Sequence, residues 1–153
     1  MKSPRVFWHR QILVLVLGVS GVNAQAFCFD LAQKTYGISA ALLMAIAEQE
    51  SNFNPKAVGV NRNGTRDIGL MQINTTWLPR LAKQGVREQD LFEPCTNVMI
   101  GAWVLADNVR RLGPTYKALG AYNATSPHLQ LRYAQAVLRR LPKFEQAQQA
   151  RRP

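Results

Sequence analysis

The chain predicts a mainly α-helical single domain with one small irregular or β-ribbon segment near residues 57–68. Three observations support this. The 153 residues suffice for one domain with a real core and are too few for two. Six or seven stretches carry helical apolar periodicity between recognisable start and stop residues. Only residues 56–67, interrupted by Gly59 and Gly64, lack a helical period.

In order along the chain, Asp30 can cap a short helix that stops at Gly37, and Ser39 can cap the next. Ala40 through Ala47 are apolar without a break, which suits a helix buried on all sides. It should run to about Ser51, because Asn52, Asn54 and Pro55 end it. After the irregular segment, Asn74 or Thr76 begins a short helix closing at Gly85, while residues 86–92 are too short to assign. A long helix follows from Cys95 to Leu112, with Val98, Ala102, Leu105 and Val109 on one face and Gly113-Pro114 as its stop. Thr115 to Tyr122 form another. Ser126-Pro127 opens the last helix, which ends before Pro142 and leaves residues 143–153 as a basic, flexible tail.

The first 26 residues read as a secretory leader. Lys2, Arg5 and Arg10 precede the apolar run Ile12 to Val19, and Ala24-Gln25-Ala26 is small at both positions that decide cleavage. The competing reading is an uncleaved anchor, for which a run of eight is short. The expected domain then covers residues 27–142. Export also favours a disulfide between Cys28 and Cys95, the alternative being two buried free thiols. Beyond the leader, 16 basic residues face nine acidic ones, a net charge of +7. Such a surface suits a polyanion, and for an exported chain a cell wall or anionic lipid fits better than nucleic acid. Part of the excess, in Arg139, Arg140, Lys143, Arg151 and Arg152, reads as a solvated tail.

The groups able to do chemistry are few. His9 lies in the leader and His128 in a helix cap, so no metal cluster or Ser–His site can be assembled. No glycine-rich loop cradles a phosphate. Glu50 ends the apolar helix one turn beyond Ile46 and Ala47, where desolvation and the helix C-terminus both raise a carboxyl pKa. The bland alternative is a surface glutamate at a helix end. Glu48, about 200° around the helix from Glu50, cannot share its cleft and reads as structural or solvent-facing. Asp67 lies 17 positions after Glu50 among Asn61, Arg62, Asn63, Thr65 and Arg66, which favours its charged form or simply a turn. One shielded acid and one wet carboxylate are the pair that glycosidic cleavage uses. Trp77 and Trp103 could stack on sugars, although Trp103 sits on a long apolar helix and reads as core.

The runs E-S-x-F-N-P from Glu50, D-I-G-L-M-Q-I-N from Asp67 and A-Y-N from Ala121 carry a resemblance to the lytic transglycosylases that cut peptidoglycan glycan strands. More particularly, the chain resembles the small, single-domain exported ones that accompany type III and type IV secretion, conjugation and pilus systems. The block from Asn61 to Trp77 is also similar to animal-type lysozymes, in which a helix-borne Glu is joined to a loop Asp. The likeness spans residues 28–125. It implies a lysozyme-like fold with Glu50 as the single acid/base and Met71 and Gln72 lining the sugar cleft. Tyr122 and Asn123 would face Glu50 from the other side, with Tyr122 hydrogen-bonding near the acid. Gly69 would let backbone approach the sugar. Met71 as a core residue and Tyr122 as a packed aromatic are the plainer readings. Two departures stand out. Asp67 occupies a position where many larger transglycosylases have a small residue, and Ala124-Thr125 replaces the usual glycine after A-Y-N.

The expectation is a periplasmic enzyme that needs no cofactor or metal. It would cleave the MurNAc–GlcNAc β-1,4 bond with a 1,6-anhydro product, opening the wall for a secretion, conjugation or pilus machine whose components are its partners. No membrane span would remain after leader cleavage, and nucleic acid is not a partner. The alternatives are a lysozyme-type muramidase using Glu50 and Asp67, or a non-catalytic wall-binding scaffold subunit.

Overall fold

The computed structural model describes residues 27–151, so the leader expected over residues 1–26 lies outside the described residues. Helix α1 (Phe29–Tyr36) starts behind Cys28 and not Asp30, which instead sits in the first turn where a carboxylate suits the helix dipole. Gly37 closes it in the left-handed conformation, at φ 70°. Helix α2 (Ala40–Ser51) is capped by the Ser39 hydroxyl, which accepts from the Leu42 N–H at 3.4 Å. Of the stretch Ala40–Ala47 only Leu42 is not buried, so α2 runs through the middle of the core. The chain leaves it through two left-handed residues, Asn52 (φ 51°) and Phe53 (φ 62°).

The expected ribbon is an antiparallel sheet of three short strands, β1 (Val58–Val60), β2 (Arg66–Ile68) and β3 (Ile73–Asn74), in that spatial order. Gly59 lies opposite Asp67, and Asp67 opposite Asn74. Two residues are too few to show alternation, which is why β3 is not apparent in the sequence. Asn74 ends β3 and also caps a 3₁₀ turn (Thr75–Trp77) by accepting from the Thr76 N–H at 2.9 Å. Helix α3 (Leu78–Leu81) and a further 3₁₀ turn end at Gly85, as expected.

Helix α4 (Pro94–Leu112) packs on α1, α5 (Tyr116–Gly120) packs on α4, and α6 (Pro127–Leu138) lies against α5 and α2. A Cβ at Gly120 would overlap the Gln130 backbone, so glycine is required for α5 to lie this close to α6. Cys28 and Cys95 form a disulfide with Cα atoms 5.1 Å apart, tying the start of α1 to the first turn of α4.

The basic tail expected from residue 143 is instead helix α7 (Leu141–Gln149), seated on α2. Pro142 stops α6 yet fits the first turn of a new helix, where its missing N–H costs nothing. The Phe144 ring meets Phe53 edge-on at 5.9 Å. Lys143 pairs with Glu48, and Arg140 Nε lies 3.7 Å from the other Glu48 oxygen. Glu48 is therefore a structural anchor pointing away from Glu50. Two of the charges attributed to a solvated tail are consumed in holding α7. Among the described residues no helix is long and apolar enough to cross a membrane.

Candidate active site

Glu50 reaches an open cleft of about 890 Å³ from the last turn of α2. Asp67, Gln72, Trp77, Tyr122 and Asn123 line the same space. Residues separated by more than 70 positions thus converge on one side of the molecule. The Glu50 carboxyl is half-buried, and its pKa is raised from 4.5 to about 7. Desolvation is the main cause. The Asp67 charge adds to it, and a hydrogen bond from Tyr133 opposes it.

Tyr133, on the buried face of α6, donates its hydroxyl to Glu50 Oε1. Its own pKa is pushed far up by burial and by the Glu50 charge, so it remains a donor. The phenol expected near the acid, Tyr122, does line the Glu50 cleft and feels its charge, but its hydroxyl bonds to backbone and not to the carboxyl. The Tyr122 hydroxyl donates to the Met71 carbonyl at 2.9 Å, and its ring stacks on Tyr133 with centroids 6.4 Å apart and planes 13° from parallel. Sequence reading missed Tyr133 because a tyrosine spaced four residues from Val137 on an apolar face reads as core. The one clue is that a buried phenol needs a partner.

Asp67 projects from β2 with both oxygens occupied. Asn61 Nδ2 donates to Oδ2 at 2.8 Å and Asn74 Nδ2 to Oδ1 at 2.7 Å. Two amide donors suit an acceptor-only carboxylate. Gln72 holds a left-handed backbone (φ 49°), and its side-chain amide donates to the Gly69 carbonyl at 2.9 Å.

Two expectations are corrected here. Met71 is fully buried and contributes backbone, not side chain: its N–H donates to Asn97 Oδ1 at 2.7 Å while its carbonyl receives Tyr122. Gly69 faces the core and not the cleft, because a Cβ there would strike the Asn97 amide and the Leu91 carbonyl. Its φ of 80° also favours glycine.

Asn97, fully buried on α4, organises this turn from below. Besides accepting from Met71, its amide donates to the Ile68 carbonyl at 2.8 Å and the Leu91 carbonyl at 2.7 Å. Ser51 does the same from α2, donating to the Leu70 carbonyl at 2.8 Å. The helix turn that carries Glu50 and the turn that carries Gln72 are thereby locked together. Trp77 reaches the cleft with its ring braced edge-on by Trp103 at 5.3 Å, and the Arg80 guanidinium lies over Trp103 at 4.4 Å. Trp103 lies outside the cleft lining. Among the described residues no group of three or more His, Cys, Asp or Glu side chains forms a metal site.

Residues 27–136 match the transglycosylase SLT domain. The chain belongs to the transglycosylase SLT domain family. As a member it is a lytic transglycosylase, an enzyme acting on peptidoglycan. It is 42% identical over 130 residues to the invasion protein IagB of Salmonella typhimurium, covering 81% of each chain. It is 44% identical over 121 residues to protein IpgF of Shigella flexneri, covering 76% of this chain and 80% of that one. Its fold matches an inactive Glu-to-Gln mutant of the lytic transglycosylase Slt from Pseudomonas aeruginosa, with a TM-score of 0.68 and 22% identity. That match covers 86% of this chain but spans only 25% of the longer enzyme.

Proposed function

We propose that the protein cleaves the β-1,4 bond between MurNAc and GlcNAc with Glu50 as its single acid/base. The proton kept on Glu50 up to about pH 7, in an open cleft of about 890 Å³, carries this reading. Glu50 gives that proton to the glycosidic oxygen as the C1–O4 bond breaks, and an oxocarbenium-like or acetamido-assisted intermediate forms. The carboxylate then takes the proton of the sugar's 6-hydroxyl, whose oxygen bonds C1. The ring closes to the 1,6-anhydro form, water is not consumed, and Glu50 regains its proton. Tyr133 serves both half-reactions, since its donated hydrogen bond steadies the carboxylate between them.

The site of action in this reading is the periplasm, and the purpose is local wall opening for a secretion, conjugation or pilus machine. The resemblance to small exported enzymes that accompany such machines supports it, as does a relative whose name is that of an invasion protein.

A second reading, lysozyme-type hydrolysis, is favoured by one observation. Asp67 lines the same cleft with both oxygens held, close enough for its charge to raise the Glu50 pKa. Asp67 would then act as nucleophile or charge stabiliser. Mass spectrometry of released muropeptides separates the two: anhydro ends support the first and reducing ends, heavier by one water, the second. Products released unchanged by a Glu50→Gln variant would sink both.

A further inference from the structure

Among the described residues that line the cleft, one is cationic: Arg62. Three other arginines of the segment from Arg66 to Arg87 are engaged. Arg66 pairs with Glu88 at 2.5 Å and Arg87 with Asp90 at 3.4 Å, while Arg80 lies over Trp103. No carboxylate among the described residues pairs with Arg62, although two face the same space from Glu50 and Asp67. Arg62 also does not hang from a loose loop. It occupies the tip between β1 and β2, closed by the Asn61 N–H on the Thr65 carbonyl at 2.8 Å and the Gly64 N–H on the Asn61 carbonyl at 3.0 Å. The Asn61 side chain then ties the same tip to Asp67. A fixed backbone presents an exposed guanidinium at the rim of the groove.

A glycan strand is neutral along its sugar backbone. Its negative charges lie on the lactyl arm of each MurNAc, either as the free lactyl acid of a stripped strand or as carboxylates of the attached peptide. We propose that Arg62 selects substrate by pairing with a carboxylate on that lactyl arm, an inference that rests on the glycan-cleaving reading above. The guanidinium fork matches a carboxylate with two parallel hydrogen bonds and keeps its charge at every working pH. An exposed rim position suits a group that projects away from the sugars, whereas the bond to be broken lies deeper, at Glu50.

The test compares binding and turnover on three strands: intact, peptide-stripped, and intact with the peptide carboxylates amidated. Arg62→Gln should weaken kcat/KM roughly tenfold on a carboxylate-bearing strand, leave the amidated strand within about twofold, and be partly rescued by Arg62→Lys. Selective loss on intact strands assigns the peptide carboxylate, and selective loss on stripped strands the lactyl acid. Equal losses on all three, or none on any, overturn the assignment. Binding is measured in the Glu50→Gln background. A charge-dependent contribution from Arg62 there stands whether or not turnover occurs, whereas turnover by Glu50→Gln itself would overturn the acid reading alone.

Discussion

At Glu50 two opposing influences meet, and the direction of each is testable. Burial raises its pKa to about 7 and the Tyr133 hydroxyl pulls it back. The first step needs the protonated acid, so kcat/KM should fall as pH rises through about 7. Tyr133→Phe removes the stabilisation of the carboxylate, which raises the Glu50 pKa further. The descending limb of the pH profile should therefore move to higher pH, with activity about tenfold lower because the second step loses its positioned base. A limb that moves down or stays put would show that Tyr133 does not set this proton. The same shift affects stability. Between 4.5 and about 7 the folded state holds a proton that the unfolded chain releases, so this contribution is complete below 4.5 and is lost as pH rises through 7. Glu50→Gln should thus be more stable than the parent at pH 8, by roughly 3 kcal/mol, with the gap closing at pH 4. Thermal melts of the pair across that range give the comparison. The importance of Glu50 is legible in the sequence from the motif that follows it, since its place at the end of an apolar helix alone would equally suit a surface glutamate. Tyr133 is not, since nothing within α6 shows that its hydroxyl meets an atom 83 positions earlier.

Between elements, the site depends on side chains that never touch the cleft. Asn97 holds the carbonyls of Ile68 and Leu91 and the Met71 N–H from α4, and Ser51 holds the Leu70 carbonyl from α2. Replacing Asn97 by Ala would strand three buried backbone groups, at a cost of about 3 kcal/mol. Chemical denaturation should show that loss, and kcat should fall more than KM rises because the turn carrying Gln72 relaxes. An unchanged midpoint would mean the turn holds itself. Asn97 reads as an ordinary amide within a helix until its depth is known. The E-S dipeptide is half-explained in the same way: position suggests a role for the glutamate, while the serine's bond to Leu70 depends on how α2 meets the sheet. Helix α7 reads as tail because charge density outweighs one phenylalanine in a sequence, yet Glu48 and Phe53 supply the partners that fold it.

For the molecule as a whole, the disulfide closes a separation of 67 residues and spans α1 to α4 around the sheet and cleft. Loop-closure entropy puts its contribution at about 4 kcal/mol. A Cys28→Ser/Cys95→Ser double variant should melt well below the parent, and adding reductant to the parent should reproduce the shift. Equal melting of both forms would place the bridge outside the cooperative unit. The first six helices, the buried α2, the break over residues 56–67 and the Cys28–Cys95 pairing follow from the sequence, because each depends on local periodicity, on caps or on a count. Assignment of donors was decided only in three dimensions: Tyr133 and not Tyr122 on the acid, Met71 in the core, Gly69 against Asn97. A hydrogen bond depends on a few tenths of an ångström between segments far apart in the chain, and periodicity within one segment carries no information about that distance.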